Sequence, residues 1–493
     1  LNLLPIDLPP GVFRQGTEYQ SGGRWWNANL VRWFGRQLGP VGGWQKRSGA
    51  AVPGLARAIL PWVDNAGGRW IAIGSHTRLQ VQNASGAVFD ITPAGFSAGA
   101  ANETANTGYG VAAYGAGAFG APRPDTGTTT PALVWDLDTW GQDLLALAHS
   151  DGRIVRWQRD TLASAAVVAN APTGCYGVTA AEQGFVIALG AGGDPRKVQW
   201  SDQNGLTSWT PSSTNQAGSV SLATAGKVIR GVRLGPAVLV LTDADAHLGQ
   251  YVGLPYVWSF ARVAHGCGAT SKGCAVSTGS TVVWWSKSGF WIFDGAARPV
   301  ECEVWDFLAN NLNPGQRSKI SGFHNSQFGE VWWFYPSAGS NENDSYVYWD
   351  YRRDHWGIGT LARLCAAEPS VYKWPLAMGA DGCCYEHETG AAHDGAAPFA
   401  ETGPIELGGG EAMMRCSGIV GDDAHAGDVT VSFRTRPFPD GPETVLDETV
   451  MTSGGFAELR FAARQARMRV TQANGVDWRF GRARLELSPG GRR

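Results

Sequence analysis

The sequence predicts an all-β chain: a β-propeller of six or seven blades, a C-terminal β-sandwich-like domain and an extended N-terminal segment. Three observations carry this reading. Helical periodicity is almost absent. Gly and Trp are over-used, with 67 and 22 among 493 residues, as suits tight turns between strands that bury aromatic bulk. A strand–turn–strand signature recurs seven times.

The recurring segments begin at Arg69, Asp143, Gly184, Ala237, Thr281, Glu330 and Pro375. Each is a short apolar run, then Gly, Asn, Asp or Ser, then a second run. After a long first step they recur every 41 to 53 residues. That length holds four strands, the content of one propeller blade; the alternative is a long meander or a sandwich with many hairpins. The blades are placed within 61–395, after an N-terminal segment over 1–60 that packs on neighbouring elements. The single helical pattern is "EVWDFLANNLN", where Val304, Phe307, Leu308 and Leu312 share a face and Pro314-Gly315 ends the run. The long first step holds a Gly/Ala-rich insertion at about 94–131, with Tyr109, Tyr114 and Phe119 spaced along it as candidate assembly contacts. Gly115, Gly117 and Gly120 match a dinucleotide fingerprint by letters, but Pro122 and Pro124 forbid the helix that it needs.

From 396 to 493 the texture changes to alternating strands without Lys. Nine Arg stand against Asp477 and Glu486 from Arg460 onward. Arg467 and Arg469 share one strand face, as do Arg482 and Arg484. These four are candidate assembly contacts, for a neighbouring subunit or for nucleic acid, since the planar guanidinium suits interfaces; the plainer alternative is a solvated sheet face.

Composition narrows the function classes. Apolar content of 43% and charge of 17% suit a folded chain. A net charge of −3 gives no global basic field for nucleic acid. No apolar run is long enough to span a membrane, and the opening "LNLLPIDLPPG" does not read as a signal peptide. The eight Cys show no C-x-x-C pair and read as reduced, buried thiols. No strained-turn nucleophile, zinc-protease motif, phosphate loop or EF-hand spacing occurs, and His265 beside Cys267 reads as structural. "SDQNGLTSW" from Ser201 is an imperfect Asp box, which would shape a turn in any case. No pair of carboxylates is singled out for glycoside hydrolysis. No catalytic residue, cofactor or metal is therefore assigned.

The stretch "GEVWWFYPSAGSNENDSYVYWDYRRDHWGIG", from Gly329, gathers Trp332, Trp333, Trp349 and Trp356 about an acidic turn. It reads either as a ligand site or as two strands of one blade. Apolar residues on both faces favour the strands. Glu342, Asn343 and Asp344 are then expected at an exposed turn, with a cation there as the weaker alternative.

Several stretches together resemble the tail hub, or nozzle, proteins of short-tailed bacteriophages, also called packaged-DNA stabilisation proteins. They are Gly16 to Arg47, with Asn29-Leu30-Val31-Arg32, Gly35, Pro40 and Gly42-Gly43-Trp44 at its centre; "YGAGAFG" in the insertion; Lys197 to Pro211; the helix with the Trp-rich stretch; and the Arg-rich end. They keep the family's order along the chain. The resemblance implies a structural, non-enzymatic virion protein, made in the bacterial cytoplasm and built into the tail. It implies a homo-oligomeric ring, usually a hexamer, below the portal's adaptor protein, with tail fibre, spike or needle proteins as further neighbours. Phage DNA would be retained and then ejected through the channel without sequence recognition. The alternative is a carbohydrate-binding or polysaccharide-degrading propeller of a phage tail.

Overall fold

The computed structural model describes residues 2–105, 129–407, 411–422, 426–438, 441–452, 454–472 and 475–491. Seven four-stranded antiparallel sheets follow one another along the chain. Their first strands are Ala56–Val63, Trp135–Trp140, Gly177–Ala180, Val228–Leu234, Ala275–Ser277, Ser321–Asn325 and Arg363–Ala367. Each lies beside the next, and the seventh returns beside the first, so the sheets close a ring of seven blades around an axis. Each hairpin signature is the central strand pair of one blade, as in Ala237–Thr242 with Asp245–Gly253. The periodicity was legible because the first strand of this pair is buried on both faces along nearly its whole length.

The seventh blade lacks a fourth strand of its own. Trp44–Lys46, from the N-terminal segment, supplies it, pairing Trp44 with His387 and Lys46 with Tyr385. The ring is thus clasped by a strand from the far end of the chain. The conformation of that strand is set by its approach: an added Cβ at Gly43 would lie 2.5 Å from Ala392 backbone atoms, and one at Gly42 would lie 2.5 Å from the Glu388 Cα. Only glycine lets the chain pass there.

The sandwich is built from both ends of the chain. One sheet is ordered Asn2–Ile6, Ala483–Gly491, Met413–Gly421, Phe456–Ala463; the other runs from Trp25–Asn29 through Phe399–Thr402 and Gln465–Thr471 to Val429–Arg436. The N-terminal segment is therefore woven into two sandwich sheets, a hairpin (Val31–Phe34 with Gln37–Pro40) and the last blade. It holds the sandwich against the sixth blade: Val12 N–H donates to the Trp356 carbonyl (2.7 Å) and Leu30 N–H to the Tyr346 hydroxyl (2.7 Å).

The Trp-rich stretch is scaffold. Glu330–Tyr335 and Ser345–Asp350 pair along their length, and every residue in both strands is buried. Blades on either side and the N-terminal segment cover them. Phe290 of the fifth blade sits 4.7 Å from the Trp333 ring and 4.6 Å from that of Trp356, joining two blades by aromatic contact. The expected exposed turn is not one. Asn343 is buried and donates to the Lys319 and Leu364 carbonyls; Asp344 accepts from Ser337; Glu342 binds Arg57 and Lys319. The cations there belong to the chain itself, so the acidic stretch turns inward for its partners.

The one α-helix among the described residues is Trp305–Asn311, with Leu308 buried. Pro314 then opens a 3-10 turn, Pro314–Lys319, rather than merely ending the run, because its fixed φ suits a first helical position. All eight Cys are free and buried. No described helix is long and apolar enough to cross a membrane.

Candidate functional site on the axial face

In each blade the first strand begins at one end of the axis, and the links between blades gather there. The link from the first to the second blade crosses the axis. Ala101 O accepts from Arg57 (2.7 Å), Asn102 Oδ1 from Lys319 (2.6 Å), and the Glu103 backbone is held on both sides by Gln316 of the sixth blade. Thr104–Ala105 then pairs with Thr129–Thr130, forming a two-stranded stem. Tyr109, Tyr114 and Phe119 fall within 106–128, outside the described residues.

Beneath the stem lies a pocket of about 270 Å³, lined by residues including Glu103, His149, Tyr176, Lys227, Asp243 and Lys272. Its floor is closed by Lys272, whose ammonium donates to Asp136 (3.0 Å) and to the Tyr176 (2.5 Å) and Ile229 (3.2 Å) carbonyls. All three ammonium protons are thus used. Burial lowers the Lys272 pKa against the pull of Asp136. Burial, with Lys272 nearby, takes His149 down to about 4; the imidazole is neutral at pH 7 and accepts from Val134 N–H.

On the other side of the axis Arg57 forks onto Glu342 at 2.6 and 2.8 Å, and Lys319 joins the same carboxylate at 2.8 Å. Burial disfavours the Glu342 carboxylate, but the two cations more than offset it and hold the pKa below its ordinary value. At the opposite end of the channel Asp138 pairs with Arg233 (2.7 Å). Asp136, Glu342 and Asp138 are thus each paired with a cation of the chain. Of the pocket's carboxylates, Glu103 and Asp243 have no ion pair among the described residues. No group of three or more His, Cys, Asp or Glu able to hold a metal occurs among the described residues.

The Arg residues of the C-terminal domain divide in two. Arg467 is buried, bound to Glu401 and, at 2.8 Å, to Glu18. Arg469 lies over the Phe399 ring at 3.7 Å, with Glu401 at 3.6 Å. Both tie the sandwich to the N-terminal segment or to itself, so neither guanidinium is offered outward. Arg482 is exposed and reaches Asp7 at 2.6 Å. Arg484 is exposed and opposes Pro5 in the edge pairing.

Arg32, one of the residues that carry the resemblance, centres the joint between hairpin and propeller, but its pairing with Glu330 and Glu388 was not read from the sequence. Arg32 binds Glu330 (2.5 and 2.7 Å) and Glu388 (2.6 and 3.1 Å), and its guanidinium lies 3.6 Å from the Phe328 centroid. Burial works against the charge on Arg32, but the two carboxylates hold its pKa well above the ordinary value; burial pushes Glu330 up despite Arg32. The available signal was a lone Glu opening the aromatic run "EVWWFY".

No protein-family model and no curated protein matches the sequence. Solved structures similar in fold include virginiamycin B lyase from Staphylococcus aureus (9% identity, 67% of this chain and 94% of that one, TM-score 0.40). YCF48 bound to D1 peptide is another (8% identity, 70% and 97%, TM-score 0.38), and the Pan2 WD40 domain of Neurospora crassa a third (8%, 71% and 94%, TM-score 0.39). The likeness concerns the propeller fold and carries no function.

Proposed function

We propose that the chain is a structural, non-enzymatic subunit of the tail of a short-tailed bacteriophage: a nozzle or hub protein that assembles as a ring, in the resembled family usually a hexamer, below the portal's adaptor. In this reading phage DNA passes along the ring's channel without sequence recognition, and fibre, spike or needle proteins are its further neighbours. The observation that carries the reading is where the family-like residues fall. Arg32, Gly42, Gly43 and Trp44 clasp the hairpin and the N-terminal segment to the sixth and seventh blades, rather than lining a pocket. Such residues serve a rigid building block. The axial ion pairs Lys272–Asp136, Arg57–Glu342 and Arg233–Asp138 are in keeping with this, since each ties one blade to another.

The test is to image the full-length chain with its tail adaptor. The expected result is a ring stacked on the adaptor. A chain that stays monomeric beside assembled adaptor rings would overturn the proposal. Turnover of a host polysaccharide, abolished by Glu103→Gln or Asp243→Asn, would instead assign the axial pocket to a polysaccharide-acting propeller.

A further inference from the structure

The axial pocket holds charges that its own walls do not satisfy. Lys227, Lys287 and Arg317 line it together with Glu103 and Asp243, and none of the five has an ion pair among the described residues. Lys272 on the floor, by contrast, is neutralised by Asp136. The three unpaired cations come from separate parts of the ring. Lys227 ends the link into the fourth blade, just before Val228–Leu234. Lys287 sits in the turn between Val282–Ser286 and Gly289–Phe293 of the fifth. Arg317 lies in the 3-10 turn that leads into the sixth.

The backbone beneath these charges is braced. Lys227 N–H donates to Asp243 Oδ1 (2.8 Å), and Asp243 N–H returns to the Lys227 carbonyl (3.0 Å). Gln316, next to Arg317 in the chain, grips the Glu103 backbone, and Ser286 pairs with Gly289 across the Lys287 turn. A site fixed in this way loses little freedom when a ligand enters. The Ser318 hydroxyl, in the same lining, is buried without a hydrogen-bond partner among the described residues. Buried groups of this kind are normally satisfied, and a hydroxyl can both give and take a hydrogen bond. Val134, Tyr176 and Ile229 add apolar wall.

Three unpaired cations against two unpaired carboxylates leave a single positive charge in excess. That balance suits a monoanion that also brings hydrogen-bond donors. A sugar acid has this chemistry: one carboxylate for the cations, hydroxyls for Glu103, Asp243 and Ser318, and a C–H face for the apolar wall. The geometry points to a binding site for one acidic sugar residue of the uronic acid class. Phosphate and nucleic-acid backbone are opposed by the two carboxylates, and a zwitterion leaves the excess charge unmet. A volume of about 270 Å³ is at the small end for ligand sites and suits one ring rather than a chain. The site goes beyond the tail reading and does not rest on it, because binding requires neither ring assembly nor turnover.

The test titrates the full-length chain with glucuronate by isothermal calorimetry at low salt, with glucose, glycine and inorganic phosphate as comparison ligands. Glucuronate is expected to bind at millimolar concentration or below, and roughly tenfold more tightly than the other three. Lys287→Gln and Arg317→Gln are each expected to weaken it about tenfold, the loss of one charge-assisted hydrogen bond. Lys287 is exposed, so its variant should keep the parent melting temperature. Glucuronate that fails to bind, or that binds both variants as well as the parent, would overturn the site. Glucose binding as tightly as glucuronate would overturn the part given to the cations. Tighter binding of phosphate or glycine would overturn the sugar acid as ligand. A chain that binds glucuronate yet stays monomeric beside adaptor rings would uphold this site and overturn the ring reading; rings without glucuronate binding would do the reverse.

Discussion

Two cations, Arg32 and Lys272, sit where water cannot reach them; carboxylates pair with both, and the Tyr176 and Ile229 carbonyls also hold Lys272. Removing one partner of such a pair leaves a buried, uncompensated charge, which typically costs about 3–5 kcal/mol. Arg32→Met is therefore expected to destabilise the chain by about that amount in urea unfolding, and Lys272→Met similarly. A loss below about 1 kcal/mol for Arg32→Met would show that Glu330 and Glu388 find other partners. The buried histidines give a pH dependence of defined sign. Burial is the largest cause of the lowered pKa at His355 and His149, both brought to about 4, and at His387, brought well below 6.5. Each binds a proton more readily when unfolded, so its stabilising contribution is present above pH 6.5 and is lost as pH falls toward 4. For His355 alone the full loss is roughly 3 kcal/mol. Urea midpoints measured from pH 7 to pH 4 should fall, and His355→Gln should flatten the profile.

At the scale of one element, the clasp strand Trp44–Lys46 has no intrinsic claim on its place. Three residues contribute few ladder bonds, and Gln45 and Lys46 are exposed. Its anchors are Trp44, which stacks on His387 and donates from Nε1 to Asp394 (2.5 Å), and the glycines before it. Gly43→Val should force the chain off the Ala392 backbone, release the clasp and cost about 2–4 kcal/mol, in the range of overpacking with backbone strain. Hydrogen exchange is the direct readout: protection should fall in Cys384–His387 before it falls in the fourth blade. Unchanged protection there would mean that the clasp does not hold the ring.

The same connectivity decides how the whole molecule behaves. Both sandwich sheets take a strand from residues 2–29, so residues 396–493 do not carry a complete sandwich. Expressed alone, that segment should lack a cooperative melt, whereas co-expression with residues 1–47 and 48–395 should restore one, measured by near-ultraviolet circular dichroism. A cooperative melt for 396–493 alone would show that the N-terminal strands are accessory.

The sequence by itself determined the all-β class, the central hairpin of every blade and the change of texture before the sandwich. These are local properties: a two-residue period, turn residues and apolar bulk are written in neighbouring positions. Only the tertiary structure decided that there are seven blades, because the fourth strand of the last blade lies over three hundred residues from its partner. The same limit applied to charge. Nothing in the letters distinguishes Arg32 and Arg467, which are buried in ion pairs, from Arg484, which is exposed, and nothing shows Glu342 turning inward to Arg57. A charged side chain is placed by partners distant in sequence, and the fold alone brings those partners together.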